Sequence, residues 1–192
     1  MRRKTFDTLM SSAGLLMAGV LLIAGGLLTW AAVFVNGQVH DQLAAQQIFF
    51  PPADSKAVAG PEFAAMREFG GQQLTTGAQA EVYANDFIGV HLTEVAGGKT
   101  YAEVSTALQA DPTNATLQAQ SASLFKGSTL RGLLLNAYAF GTMGTIAMIG
   151  AIVAFIGAGL MLLLSGLGFW HSRRVVPEEE IFETPIADPV PV

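Results

Sequence analysis

From Gly132 to Trp170 the chain runs for 39 residues without a charged side chain, between Arg131 and the basic cluster His171-Ser172-Arg173-Arg174. A second uncharged run, Thr8 to His40, lies shortly after Arg2-Arg3-Lys4. Neither run has a polar face to turn to water, so neither reads as the surface helix of a soluble protein. The chain reads as an integral membrane protein.

A hydrocarbon core of ~30 Å needs about 20 apolar residues in a helix. Ala13 to Val35 supplies 23 with no ionisable group. A signal peptide has a shorter apolar region of roughly 7–15 residues and a small-residue cleavage site, so a retained span is the better reading. The run from Gly132 to Trp170 would reach ~58 Å as one straight helix, too far for a single crossing. A hairpin of two spans would put Arg173 and Arg174 opposite Arg2, Arg3 and Lys4, against the positive-inside bias. Gly141-Thr142-Met143-Gly144 is the only weak point at which such a hairpin could turn. The expected layout is a cytoplasmic N-terminus (1–9), a first span (10–35), an extracytoplasmic helical domain (36–145), a second span (146–170) and a cytoplasmic tail (171–192). Localisation follows as a multi-pass cell-membrane protein, with Trp30, Phe34, Phe169 and Trp170 at the interfaces.

Small residues recur at three- and four-residue steps along both spans. They are Ser11, Gly14, Ala18, Gly25 and Ala32 in the first, and Gly144, Ala147, Ala151, Ala154 and Ala158 in the second, continuing through Met161 to Ser165 and Gly168. Such stripes let helix backbones approach closely, which is how helices associate in lipid. The partner is the other span, a second copy or a larger complex. No Asp, Glu, Lys, Arg or His lies inside either span, which argues against a pump, channel or transporter. Intramembrane haem would also lack its axial histidine.

Between the spans, the first helix is expected to continue to about Ile48, with Asn36-Gly37 a possible kink and Phe49-Phe50-Pro51-Pro52 its end. Residues 53–71 read as loop with a short helix around Pro61 to Phe69. Thr76 to Val95 reads as a central helix, capped by Thr75 or Thr76 and stopped by Gly97-Gly98, with Tyr83, Phe87, Val90, His91 and Val95 on one face. Thr100-Tyr101-Ala102-Glu103 fits a reciprocal capping box that opens a helix to about Gln109. Asp111-Pro112-Thr113 is expected to start a short helix ending near Phe125, broken by Lys126-Gly127-Ser128. Ser128 or Thr129 would then cap the long terminal helix. The fold class is an all-α integral membrane protein whose two transmembrane helices extend into an antiparallel stalk with a small helical extracytoplasmic domain.

Chemistry-bearing residues are few. His91 and Glu94 form an i,i+3 pair, and with His40 they are the one speculative site, a two-histidine-one-carboxylate iron centre. A helix-face histidine packed on aromatics is the plainer reading, since no cysteine and no further external histidine completes a common metal set. Gly97-Gly98-Lys99-Thr100 lacks the upstream glycine and strand of a phosphate loop. Asn114-Ala115-Thr116 matches a glycosylation acceptor, a pattern frequent by chance. No catalytic residue, metal or cofactor is therefore expected. Nine acidic against five basic side chains between residues 36 and 145 argue against nucleic acid as a partner. The tail after Arg174, with Glu178-Glu179-Glu180 and four prolines, reads as disordered.

The stretches Tyr83 to Leu92, Gly97 to Tyr101 and Thr129 to Phe140 carry a resemblance. They are similar to a family of actinobacterial two-span membrane proteins of unknown function, whose members often bear the label of aromatic ring-opening dioxygenase. In layout the chain also resembles small accessory subunits of the actinobacterial cytochrome bc–oxidase supercomplex. Ring opening would need an iron site, for which His91, Glu94 and His40 are the sole candidates. The expected function is a non-enzymatic accessory or scaffolding subunit, with membrane lipid and a protein partner or second copy as its contacts. A metal-dependent extracytoplasmic enzyme and an envelope sensor signalling to the tail are the alternatives.

Overall fold

The computed structural model describes residues 3–174, the side chain of Arg3 excepted; Met1, Arg2 and the acidic, proline-rich tail lie outside the described residues. Within them the chain is helical, with no strand and one isolated bridge, Phe49 to Gln73. Helix α1 is Arg3–Ala45, α2 Ala64–Glu68, α3 Gly77–Val82, α4 Val90–Ala96, α5 Tyr101–Ala110 and α6 Ala115–Ser172. Two of these, α1 and α6, are long and apolar enough to cross a membrane, with peak mean hydropathies of 2.2 and 2.6. The described residues divide into two compact units, residues 3–30 with 147–174, and Ala31–Ile146.

In the first unit, α1 and α6 touch through small residues in opposite chain directions. A methyl group added at Gly168 would strike Ser11, one at Gly14 would strike Ser165, and one at Gly25 would come 3.0 Å from the ring of Phe155. Ala18, Ala151 and Ala158 are fully buried there, while Leu16, Ile23, Val153 and Leu163 point outward. Side chains on the packed face are therefore the smallest ones, and bulk is left to the outside.

The second unit holds a conventional apolar core. Val39 and Leu43 of α1 and Leu134 of α6 join Phe50, Val58, Phe63, Met66, Leu74, Ala80, Ala84 and Ile88. Asn36-Gly37 does not interrupt α1, which ends at Ala45, short of the expected Ile48. Gln47 adopts a left-handed φ of 52°, and the Gln73 amide donates to the Ala44 carbonyl at 2.9 Å, satisfying one of the orphan acceptors at the helix end. The segment up to Gly71 contains 3-10 turns at Lys56–Val58 and Pro61–Phe63 leading into α2, and Arg67 ties it down by donating to the Val58 and Gly60 carbonyls.

Thr76 caps α3 through a reciprocal box with Gln79, and Gly97 closes α4 in the left-handed conformation, φ 60°. Between them the expected single α-helix widens into a π segment, Tyr83–Gly89. Ala80, Ala84 and Ile88 all face the core at four-residue steps. Val95, expected on one face with Tyr83, Phe87, Val90 and His91, is exposed.

The largest correction concerns α6. The expected break at Lys126-Gly127-Ser128 does not occur, and the helix runs 58 residues from an N-cap at Asn114, whose side-chain oxygen accepts from the Thr116 and Leu117 amides. Gly127 and Ser128, the weak helix formers of the three, cost little when tertiary contacts hold both flanks. Leu117 and Leu124 pack against Leu92, Ala96 and Val104, and Arg131 donates to Asn85 at 2.9 Å. Gly127 lies directly against Leu92, so it serves close packing and not termination. Gly141 to Gly144 likewise form uninterrupted helix.

A second close approach lies between Gly77 and α6. A methyl group at Gly77 would come 3.1 Å from the Ala137 carbonyl and 3.2 Å from the Gly141 Cα, atoms that cannot rotate aside. Gly77→Leu is expected to destabilise the second unit by about 1–3 kcal/mol through overpacking. Gly132→Ala, where nothing lies within 4 Å, is expected to be neutral or to stabilise by up to about 1 kcal/mol. Thermal unfolding of both variants in one detergent checks the pair, and equal losses would refute the packing argument.

Helix α5 opens on the expected box: Glu103 accepts from the Thr100 amide at 2.7 Å and from its hydroxyl at 2.8 Å. Those bonds, the backbone one first, hold its carboxyl below the usual range. A lowered folded value means the contribution is present above the unfolded carboxylate pKa and fades as pH falls through the folded one. The protection of the Thr100 amide, its exchange relative to an unstructured amide at the same pH, is therefore expected to fall on acidification in the native chain. Glu103→Gln should lose that acid dependence.

Candidate interaction surfaces

The residues of the speculative iron site are not gathered. His91 Nδ1 lies 2.7 Å from the Phe87 carbonyl, and its ring stacks 4.5 Å from Phe87 and 5.8 Å from Phe63 by centroids. His40 faces its neighbour Asp41 at 3.2 Å. Among the described residues no three His, Cys, Asp or Glu side chains stand close enough to share a metal ion. His91 thus closes an aromatic row formed with Tyr83 and Phe87 at four-residue spacing. Burial raises the Tyr83 hydroxyl above its ordinary pKa, and its ring meets Phe50 edge-on at 5.4 Å. The row is a packing device at the surface of the second unit.

The small-residue stripes occupy the helix contacts with a regularity beyond the expected three-and-four alternation. Among the buried positions are Ser11, Ala18, Gly25, Ala32 and Val39 on α1, and Gly144, Ala151, Ala158, Ser165 and Ser172 on α6. Both series advance by seven residues, the interval of a coiled-coil seam. Gly14, Ala147, Met161 and Gly168 are half-buried beside them, and Ala154 is buried. Asn36, marked in the sequence only as a kink position, faces Gly144, where a methyl would come 2.6 Å from its Oδ1.

Each unit also carries a concave surface. In the second unit a groove of 630 Å³ has Phe34, Val39, Leu43, Leu133, Leu134 and Phe140 along its walls, with Gln38, Gln42, Gln46 and Asn136 among its lining polar groups. It carries no charged side chain, and Leu133 is 61% exposed within it. The glutamines recur every four residues, a spacing that sequence inspection could have flagged. The first unit holds a cleft of 480 Å³ whose polar side chains are Asp7, Ser11, Ser165 and His171. Beside it, Arg174 places its guanidinium carbon 4.2 Å over the Trp170 ring.

No protein-family model, curated protein or solved structure matches this chain.

The close approach of Ser11 and Gly168 gives a direct test, because the chain has no cysteine of its own. A Cβ at position 168 would lie 3.3 Å from the Ser11 Cβ, near the ~3.8 Å mean of disulfides. Ser11→Cys with Gly168→Cys is expected to form an intramolecular disulfide in membranes under mild oxidation. Leu16→Cys with Leu163→Cys, both outward-facing, should not. The reverse pattern on gel-shift analysis would overturn the seam.

Proposed function

We propose that the chain is a two-span membrane protein with both termini cytoplasmic, acting as a non-enzymatic accessory or scaffolding subunit. In this reading residues 36–145 form the extracytoplasmic domain, with the ends of α1 and α6 as its antiparallel stalk. Membrane insertion is supported by how little of the two apolar windows is buried, 17% in each. The core helix of a soluble protein would be mostly covered. Large apolar patches open to water are rare, whereas lipid covers them without cost. Lys4 at one end and Arg173 and Arg174 at the other supply positive charge on the side assigned to the cytoplasm.

The observation that carries the scaffolding role is the groove. Leu130 and Leu133 lie 13 to 16 residues before Ile146, or about 20 Å beyond the end of the span along a helix. Lipid does not cover them there, yet both are exposed. An uncharged apolar trough edged by amides fits the apolar face of a partner helix, read at i, i+3 and i+4 positions. The resemblance to accessory subunits of a respiratory supercomplex agrees with such a partner and is part of the same proposal.

A photoreactive phenylalanine analogue in place of Leu133 tests it in native membranes. One defined adduct is expected, and none from the same residue at the exposed Gln109. With the analogue at Gln42, adding Leu133→Asp should cut the yield about tenfold, as one buried charge does at an interface core. An adduct of twice the chain mass identifies a second copy as the partner. No adduct from either groove position overturns the docking role.

A further inference from the structure

The groove beside α1 and α6 is uncharged, although nine acidic and five basic side chains lie between residues 36 and 145. Its polar side chains are carboxamides, Gln38, Gln42 and Gln46 on α1 and Asn136 on α6, and all four are exposed. A carboxamide both donates and accepts hydrogen bonds. A row of them therefore pairs with a copy of itself, which a row of carboxylates or ammonium groups cannot do. Their levels match as well. Asn36 of α1 lies against Gly144 of α6. Along the proposed antiparallel stalk, eight residues onward on α1 and eight back on α6 bring residue 44 level with Asn136. Asn136 thus stands between the heights of Gln42 and Gln46.

We infer that the occupant of the groove is the same groove of a second copy of this chain. The inference rests on the two-span reading and the docking role of the groove, and it names the partner. Two copies in one membrane share an orientation. The twofold axis relating them therefore runs along the bilayer normal and leaves every residue at its own height. Helix α1 of each copy then lies against α6 of the other, and the four helices enclose a common apolar interior, as in a four-helix bundle. The contact is isologous: Gln42 and Gln46 of one copy meet Asn136 of the other, and the reverse. Leu133 and Phe140, 61% and 55% exposed in the single chain, pass from water into that interior. A charged partner finds no counter-charge here, and a lipid chain offers the amides neither donor nor acceptor.

The test co-expresses the full chain under two different affinity tags and measures how much of one tag accompanies the other from mild detergent. Native chains are expected to co-purify. Gln42→Glu with Asn136→Glu in both copies should cut the yield about tenfold, because like charges then face each other across both contacts. Gln42→Lys with Asn136→Lys in both copies should do the same. One acidic copy with one basic copy should recover the native yield, which misfolded variants cannot do. Gln109→Glu in both copies, at an exposed site outside the groove, should change nothing. Like-charged copies that co-purify as well as native ones, or a mixed pair that fails to recover, overturn the self-pairing. Native chains that do not co-purify, while the photoreactive analogue at Leu133 couples to a different protein, also overturn it and leave the docking role standing. Chains that do not co-purify and give only a lipid adduct, or none, refute both.

Discussion

Two helices without a polar face can recognise each other only by shape, and that constraint organises the molecule. Where the surroundings are as apolar as the side chains, burying leucine against leucine gains nothing, and van der Waals contact between close backbones must supply the attraction. The pairs Ser11 with Gly168 and Gly14 with Ser165 meet this demand by removing bulk. Each glycine stands opposite a serine, so the seam is interlocked and not merely smooth. Sliding one helix by a residue would set serine against alanine or leucine and lose the fit, which fixes register without any charge.

Much of the fold is legible in the sequence because its signals are local. Thr100 and Glu103 sit three residues apart and need nothing else to form their box, and Gly97 ends a helix through its own φ. The length of the uncharged runs is equally self-contained. What escapes local reading is every place where a distant contact outweighs a propensity. Lys126-Gly127-Ser128 looks like a stop, and would be one in an isolated peptide. Leu92, Val104 and Leu124 hold the helix together across it. Gly77 reads as a first-turn residue after a cap, yet its more exacting role is the approach to Gly141. The π segment at Tyr83–Gly89 carries no sequence signature that separates it from an ordinary helix.

The candidate sites divide in the same way. The small-residue stripes were visible as spacing, but their sevenfold regularity emerges only once burial separates Ser11, Ala18, Gly25 and Ala32 from their neighbours. His91, Glu94 and His40 attracted interest because histidine is scarce, and scarcity carries no geometry. His91 is instead engaged with Phe87 and Phe63. Conversely, Asp7 and His171 lie 164 positions apart, and no periodicity links residues at opposite ends of a chain. Their nearness follows from the antiparallel seam, because pairing Ser11 with Gly168 brings the preceding turn of one helix beside the following turn of the other.

The seam also changes character along its length, and the change has a physical reason. At seven-residue steps α1 presents Ser11, Ala18, Gly25 and Ala32, and then Val39, with Leu43 one turn further. Along α6, read toward its N-terminus, Ser165, Ala158, Ala151 and Gly144 give way to Leu134. Small residues thus yield to large ones on both helices close to the expected end of the spans. In water, apolar area is itself the driving force, at about 25 cal/mol per Å² buried, so valine and leucine become the stabilising choice. Bulkier contacts hold backbones further apart, and helices spaced by large side chains leave troughs beside them. The groove lined by Leu133, Leu134 and Phe140 lies where this larger packing begins. In the proposed two-span layout, the same substitution of large for small that would stabilise a domain in water also shapes the concave surface proposed for a partner.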